Sequence, residues 1–194
     1  MSKEIRAFTG TVEMRADDEG KKTLRGYALK FGQRYDMGWF EEEVVKGALD
    51  ETDMNDVRAL FNHDPSFVLG RTTAGTLRMK LDDIGLIYEV DMPDTQAARD
   101  LMVSIERGDI NQSSWAFGLD YEDSETETWT RNSGGSKSVR SIKKVKRMYD
   151  VSPVTYPANP DTTAAARSFD EKVIKQELLN QRRKEINNFL AKHT

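Results

Sequence analysis

An α+β fold, with a β-rich body flanked by helices and an amphipathic helix at the C-terminus, is what this sequence predicts, on three observations. Short runs of alternating polarity dominate the first 150 of its 194 residues, the period-two signature of half-buried strands. Two segments in that region carry helical spacing instead. Beyond residue 160 the pattern turns small and flexible, then helical.

Taken in order, Tyr27, Leu29 and Phe31 follow Gly26 as one face of a strand. The first helix is expected over Phe40 to Leu49, with Val44, Val45, Ala48 and Leu49 on one side. Leu77, Met79 and Leu81 share a face of a further strand. The second helix spans Thr95 to Arg107, where Ala97, Ala98, Leu101, Met102 and Ile105 recur at helical spacing, Asp94 or Thr95 supplies the N-cap, and Gly108 the stop. A helix ending there feeds the chain into a strand on which Ser113, Trp115, Phe117, Leu119 and Tyr121 share one face and Ser114, Ala116, Gly118 and Asp120 the other. The aromatic set is a packing face. The small set leaves room for a substrate backbone beside Ser114.

Between Glu122 and Ser138, with Asn132-Ser133-Gly134-Gly135-Ser136 at its centre, a mobile hairpin loop is expected. The basic stretch Arg140 to Arg147 reads as the solvated face of a strand. These elements make a domain over 1–160, followed by a flexible linker over 161–168 and a helical tail over 169–194. In the tail Val173, Ile174, Leu178, Leu179, Ile186, Phe189 and Leu190 form an apolar stripe, suited either to docking on the chain's own domain or to binding a partner.

Composition narrows the function classes. The absence of cysteine excludes disulfides, thiolate catalysis and cysteine-ligated metal, and two isolated histidines offer no zinc-type spacing, so neither a metal nor another cofactor is expected. The net charge of −4 divides into about +2 on the tail and −6 on the body, and an acidic body argues against a nucleic-acid partner, whose phosphates call for cationic surface. No apolar run approaches the ~20 residues of a bilayer span, and the N-terminus lacks a signal-peptide core. A cytoplasmic protein is expected.

A serine hydroxyl is a poor nucleophile near neutral pH until a base takes its proton, and the base needs its second nitrogen held by a group that balances the developing charge. Of the two histidines, His193 is penultimate, so His63 in the turn Asn62-His63-Asp64-Pro65 is the base available to the body. Ser114 is preferred to Ser113 as nucleophile because it lies on the small-residue face. For the third member Asp150 is favoured, with Asp64 as a rival whose adjacency to His63 makes contact with the ring awkward. The chain has no Gly-x-Ser-x-Gly elbow, which argues against an esterase or acyltransferase.

Four ordered segments carry a resemblance. These are His63-Asp64 leading to Leu69-Gly70-Arg71, Asp82-Asp83-Ile84-Gly85-Leu86, Gly108-Asp109-Ile110 followed by Ser114-Trp115-Ala116-Phe117, and Asp150-Val151-Ser152-Pro153-Val154-Thr155-Tyr156-Pro157-Ala158. Over roughly residues 5 to 165 they resemble the tailed-phage prohead maturation proteases, serine peptidases related in fold to the herpesvirus assemblins. Two positions depart from the family's habit: Trp115 stands where Phe is usual, and Asp150 where Glu is commoner. The resemblance implies a barrel-like, assemblin-like fold, a part for Arg71 in binding the oxyanion, and an endopeptidase that cleaves scaffold or capsid-protein extensions, and itself, inside the procapsid in the host cytoplasm. The major capsid protein or its scaffold domain would be the substrate, with self-association as a further expectation, and the tail would serve for encapsidation. The competing class is a non-catalytic capsid- or scaffold-associated module that retains the fold.

Overall fold

The computed structural model describes residues 3–8, 12–16, 18, 20–131 and 137–156. The expected linker, the tail helix and the loop tip at 132–136 lie outside the described residues. The strands are β1 (Lys3–Phe8), β2 (Glu13–Ala16), β3 (Lys22–Lys30), β4 (Tyr35–Asp36), β5 (Phe40–Val44), β6 (Arg58–Phe61), β7 (Asp64–Arg71), β8 (Leu77–Leu81), β9 (Gly85–Asp91), β10 (Gln112–Gly118), β11 (Glu127–Thr130), β12 (Ser138–Ile142) and β13 (Arg147–Val154). One α-helix, α1 (Gln96–Glu106), stands among the described residues. The strands form three open sheets, ordered β1-β10-β13-β6-β7, β11-β12-β5-β4 and β2-β3-β9-β8. The body is thus mostly β, and the expected barrel does not close: β1 and β7 remain edges of the five-stranded sheet.

Helix α1 follows the sequence pattern. Its buried stripe is Ala98, Leu101, Met102 and Ile105, the Thr95 side chain accepts a hydrogen bond from the Ala98 amide, and Gly108 turns the chain out at φ +83°. The helix expected over Phe40 to Leu49 is instead strand β5 followed by turns. Phe40, Glu42 and Val44 point inward in alternation, β5 pairs with β12 in parallel, and Gly47 at φ +93° breaks any continuation. The apolar spacing of Val44, Ala48 and Leu49 that suggested a helix arises because Ala48 and Leu49 are buried in the turn.

A second correction concerns β3. Its pairing with β9 shifts register between Tyr27 and Leu29, so a bulge separates two residues that simple alternation puts on one face. Leu24, Ala28 and Leu29 are buried, whereas half-buried Tyr27 donates its hydroxyl to Asp82 Oδ2 at 2.8 Å. On β8, Leu77 is buried but Leu81 is exposed. Within the stretch expected to be a hairpin loop, Glu127–Thr130 is strand β11, paired antiparallel with β12 from Thr130 and Val139 outward. The core gathers Trp115 and Phe117 of β10, stacked at 4.0 Å between ring centroids, with Leu24, Tyr88, Val90 and the buried face of α1.

The basic stretch departs most from expectation. Arg140 is wholly buried rather than solvated. Its guanidinium reaches Glu4 Oε2 at 3.0 Å, Glu42 Oε2 at 2.7 Å, Glu127 Oε2 at 2.6 Å and the Tyr121 hydroxyl at 3.1 Å. Arg6 completes the cluster, with Nε 2.5 Å from Glu42 Oε1 and a terminal nitrogen on Glu4. Two arginines and three glutamates, from β1, β5, β11 and β12, are thereby taken out of water. Each charge is compensated by several partners, without which burial would cost several kcal/mol per ion. The network fixes β1 against the β11-β12-β5-β4 sheet.

Glu4 makes this network sensitive to acid. Burial pushes its carboxyl up, but the Arg140 hydrogen bond and charge, aided by Arg6 and Tyr121, outweigh that and hold it down at about 2. A folded-state value below the unfolded one means stability that is complete above the unfolded value and is lost as pH falls through the folded one. Unfolding free energy is therefore expected to decline between about pH 4.5 and 2, with about 3 kcal/mol assignable to Glu4. Urea unfolding across that range should show a shallower decline for Glu4→Gln than for the parent chain.

Candidate active site

Three strands and a turn assemble the site. Ser114 lies on β10, opposite Ala7 of β1 on one side and Ser152 of β13 on the other. Asp150 is two residues earlier on β13, so its side chain projects from the same face as Ser152. His63 occupies the two-residue turn between β6 and β7, which closes on the pair Phe61 and Asp64. Both turn residues have positive φ, Asn62 at 54° and His63 at 58°, the geometry that suits the twist of a tight hairpin and usually recruits Asn-Gly. Asn62 is at home there. A histidine in the glycine position costs about 1–2 kcal/mol, and the turn is braced where Asn62 exchanges hydrogen bonds with Thr155, through Oδ1 from the amide at 2.9 Å and Nδ2 to Oγ1 at 3.1 Å.

That conformation aims the imidazole at the sheet. His63 Nε2 lies 2.6 Å from Ser114 Oγ, and Nδ1 is hydrogen-bonded to Asp150 Oδ1. Asp150 is 2% exposed; Ser152 Oγ donates to its Oδ1 at 3.2 Å, and Lys3 Nζ pairs with Oδ2 at 3.0 Å. Burial pushes the Asp150 carboxyl up, but the hydrogen bond and charge of His63, then those of Lys3, bring it below its ordinary value. An ionised Asp150 requires the proton of the neutral ring on Nδ1, leaving Nε2 free to accept.

Ser114 Oγ also lies 2.8 Å from the Arg6 carbonyl oxygen. Its single proton can point to Nε2 of a neutral ring or, when the ring is doubly protonated, to Arg6 while Nε2–H donates to Oγ. The arrangement thus accommodates both protonation states that a base must pass through. Ser114 is fully buried, enclosed rather than set in the open space that its small neighbours suggested. Ser113 faces the other way, donating to the Tyr88 hydroxyl at 3.0 Å within the core.

The structure brings Asp150, rather than Asp64, to the ring; Asp64 Oδ1 accepts from the Ser66 amide at 2.8 Å, capping its own turn. Arg71 is engaged elsewhere, its guanidinium held in bidentate fashion by Asp56 at 2.7 and 3.0 Å. Sequence reasoning passed over Ser152, Lys3 and the Arg6 carbonyl. Ser152 stood two residues from Asp150 and so on its face of the strand, a signal that was present. Lys3 gave none. Among the described residues no cluster of histidine and carboxylate side chains could hold a metal ion, and no helix is long and apolar enough to cross a membrane.

A family model described as the caudovirus prohead serine protease matches residues 10–177. The chain belongs to this family. Membership makes it a serine protease relative of tailed-phage capsid maturation, and the four motif segments all fall inside the matched region. No curated protein matches the chain. Among solved structures, this prohead protease family member is similar to the bacteriophage T4 capsid assembly protease, at 10% identity and a TM-score of 0.43, over 78% of this chain and 97% of that one.

Proposed function

We propose that the chain is a serine endopeptidase that cleaves scaffold or capsid-protein extensions, and itself, within the phage procapsid, with Ser114 as nucleophile, His63 as general base and Asp150 as orienting acid. The observation that carries this reading is the continuous hydrogen-bonded line from Ser114 Oγ through both ring nitrogens of His63 to Asp150. As Oγ bonds to the scissile carbonyl carbon, its proton passes to Nε2, and Asp150 balances the imidazolium. The imidazolium then protonates the departing amine as the C–N bond breaks, leaving an ester on Ser114. Water gives a proton to Nε2 while its oxygen attacks the ester, and the serine and a carboxylic acid are released.

The enclosure of Ser114 is the observation that favours the alternative, a non-catalytic module retaining the fold. Two measurements on the full chain separate them. A fluorophosphonate probe should label the peptide containing Ser114, and co-expression with the cognate capsid and scaffold proteins should yield fragments detectable by mass spectrometry. An inert module gives neither label nor fragments.

A further inference from the structure

Asp150 is gripped on both oxygens. Its Oδ1 faces His63, while Oδ2 is bound by Lys3 Nζ at 3.0 Å from an edge strand 147 residues away in sequence. Lys3 is not adrift there. Its ammonium also lies 5.8 Å above the centre of the Tyr149 ring, which Arg147 approaches at 5.6 Å. Tyr149 is the residue skipped where the β10–β13 register shifts, since Ala116 pairs with Asp150 and Phe117 with Met148. The bulge lets consecutive residues of β13 present a ring and a carboxylate to one lysine. From behind, the buried arginine–glutamate network fixes Glu4 and Arg6, the near neighbours of Lys3 on β1.

We infer that Lys3 is a positioning residue of the proposed triad, holding the second oxygen of Asp150 so that the first stays on His63 Nδ1; this rests on the endopeptidase reading above. The second anchor removes the rotational freedom that would let the carboxylate swing away from the ring. The other charged groups around Asp150 are committed: Arg58, its register partner on β6, lies 3.2 Å from Asp56, and Arg147 on β13 pairs with Asp53. The Lys3 ammonium and the His63 ring are in contact with the carboxylate.

A merely structural role is separable. With a side chain 45% exposed, Lys3 forms a pair whose contribution to stability lies in the small range of surface ion pairs, yet its charge sits one carboxylate away from the base. Its removal leaves Asp150 to stabilise the imidazolium more strongly, so the acid limb of the rate profile should move to higher pH. The test uses the full chain with a scaffold-derived peptide, comparing Lys3→Met, Lys3→Gln and Lys3→Arg for kcat, KM, pH profile and thermal midpoint, with Ser114→Ala alongside.

The expected result is a kcat lower by roughly tenfold in Lys3→Met, because the carboxylate loses the anchor that orients it on the ring and despite the stronger imidazolium, with KM within about twofold and the acid limb displaced upward. Lys3→Arg should restore most of the rate, and Lys3→Gln, which keeps a donor but no charge, should restore orientation without restoring the limb. Unchanged kcat and pH profile in Lys3→Met beside an inactive Ser114→Ala would overturn the inference and leave the endopeptidase reading standing. So would a loss in Lys3→Met that merely tracks a fallen thermal midpoint and is equally present in Lys3→Arg. An active Ser114→Ala would bring down the triad itself.

Discussion

Ser114→Ala is expected to lower the rate of substrate cleavage by about 10⁴- to 10⁶-fold, the usual cost of losing a nucleophile, while Ser113→Ala keeps substantial activity. The two serines are adjacent, so composition and local exposure cannot separate them; the strand does. Ser114 Oγ sits 2.6 Å from His63 Nε2, whereas Ser113 Oγ points through the opposite face to the buried Tyr88 hydroxyl. Losing that second hydrogen bond costs on the order of 1 kcal/mol of stability, a loss a folded enzyme can absorb. Turnover of a scaffold-derived peptide, followed by mass spectrometry for both variants with circular dichroism as a folding control, makes the comparison. Equal activity in the two would remove the assignment of Ser114.

How much of this was legible in the sequence depended on which interactions wrote a pattern. Helix α1 announced itself because its stripe, Thr95 cap and Gly108 stop act locally and agree with one another. Of the three side chains that meet at the site, His63 was singled out as the one histidine of the body, Ser114 by its strand face and Asp150 as the acid ahead of a Pro-rich strand end, and the order of the prohead-protease motifs bound the three together. What hid was everything inverted by the buried ion network. In β5 the hydrophobic rule makes Glu42 a surface residue, yet it lies inside because Arg6 and Arg140 from two other strands are waiting for it. Arg140 looked like part of a solvated basic run for the same reason. The trace of that network in the sequence is an alternation of charges within strand-like segments, Glu4 with Arg6 and Glu42 between Phe40 and Val44. The pairing of their signs, across up to 136 residues, exists only in the fold. Bulges hid equally well, since the shift at Tyr27 depends on what β9 offers opposite it.

Asp150→Asn is the second large effect expected, a loss of about 10⁴-fold in kcat, comparable with the same change in a well-characterised triad, with the fold retained. Here the reason is sharper than the loss of a charge. The carboxylate stands between a ring nitrogen that must donate to it and an ammonium that also donates, so it accepts on both oxygens. An amide has one accepting and one donating end. Because an ammonium has no acceptor to offer an N–H, the introduced amide should turn its oxygen to Lys3 and its nitrogen to His63 Nδ1. The ring is then driven to carry its proton on Nε2, where it can no longer take the one on Ser114. Nitrogen NMR of the labelled imidazole should show the proton moved from Nδ1 to Nε2, and adding Lys3→Met should let the amide turn back and recover part of the rate. A variant that keeps the Nδ1–H tautomer, or one less damaging than Asp64→Asn, would show that Asp150 does not orient the base.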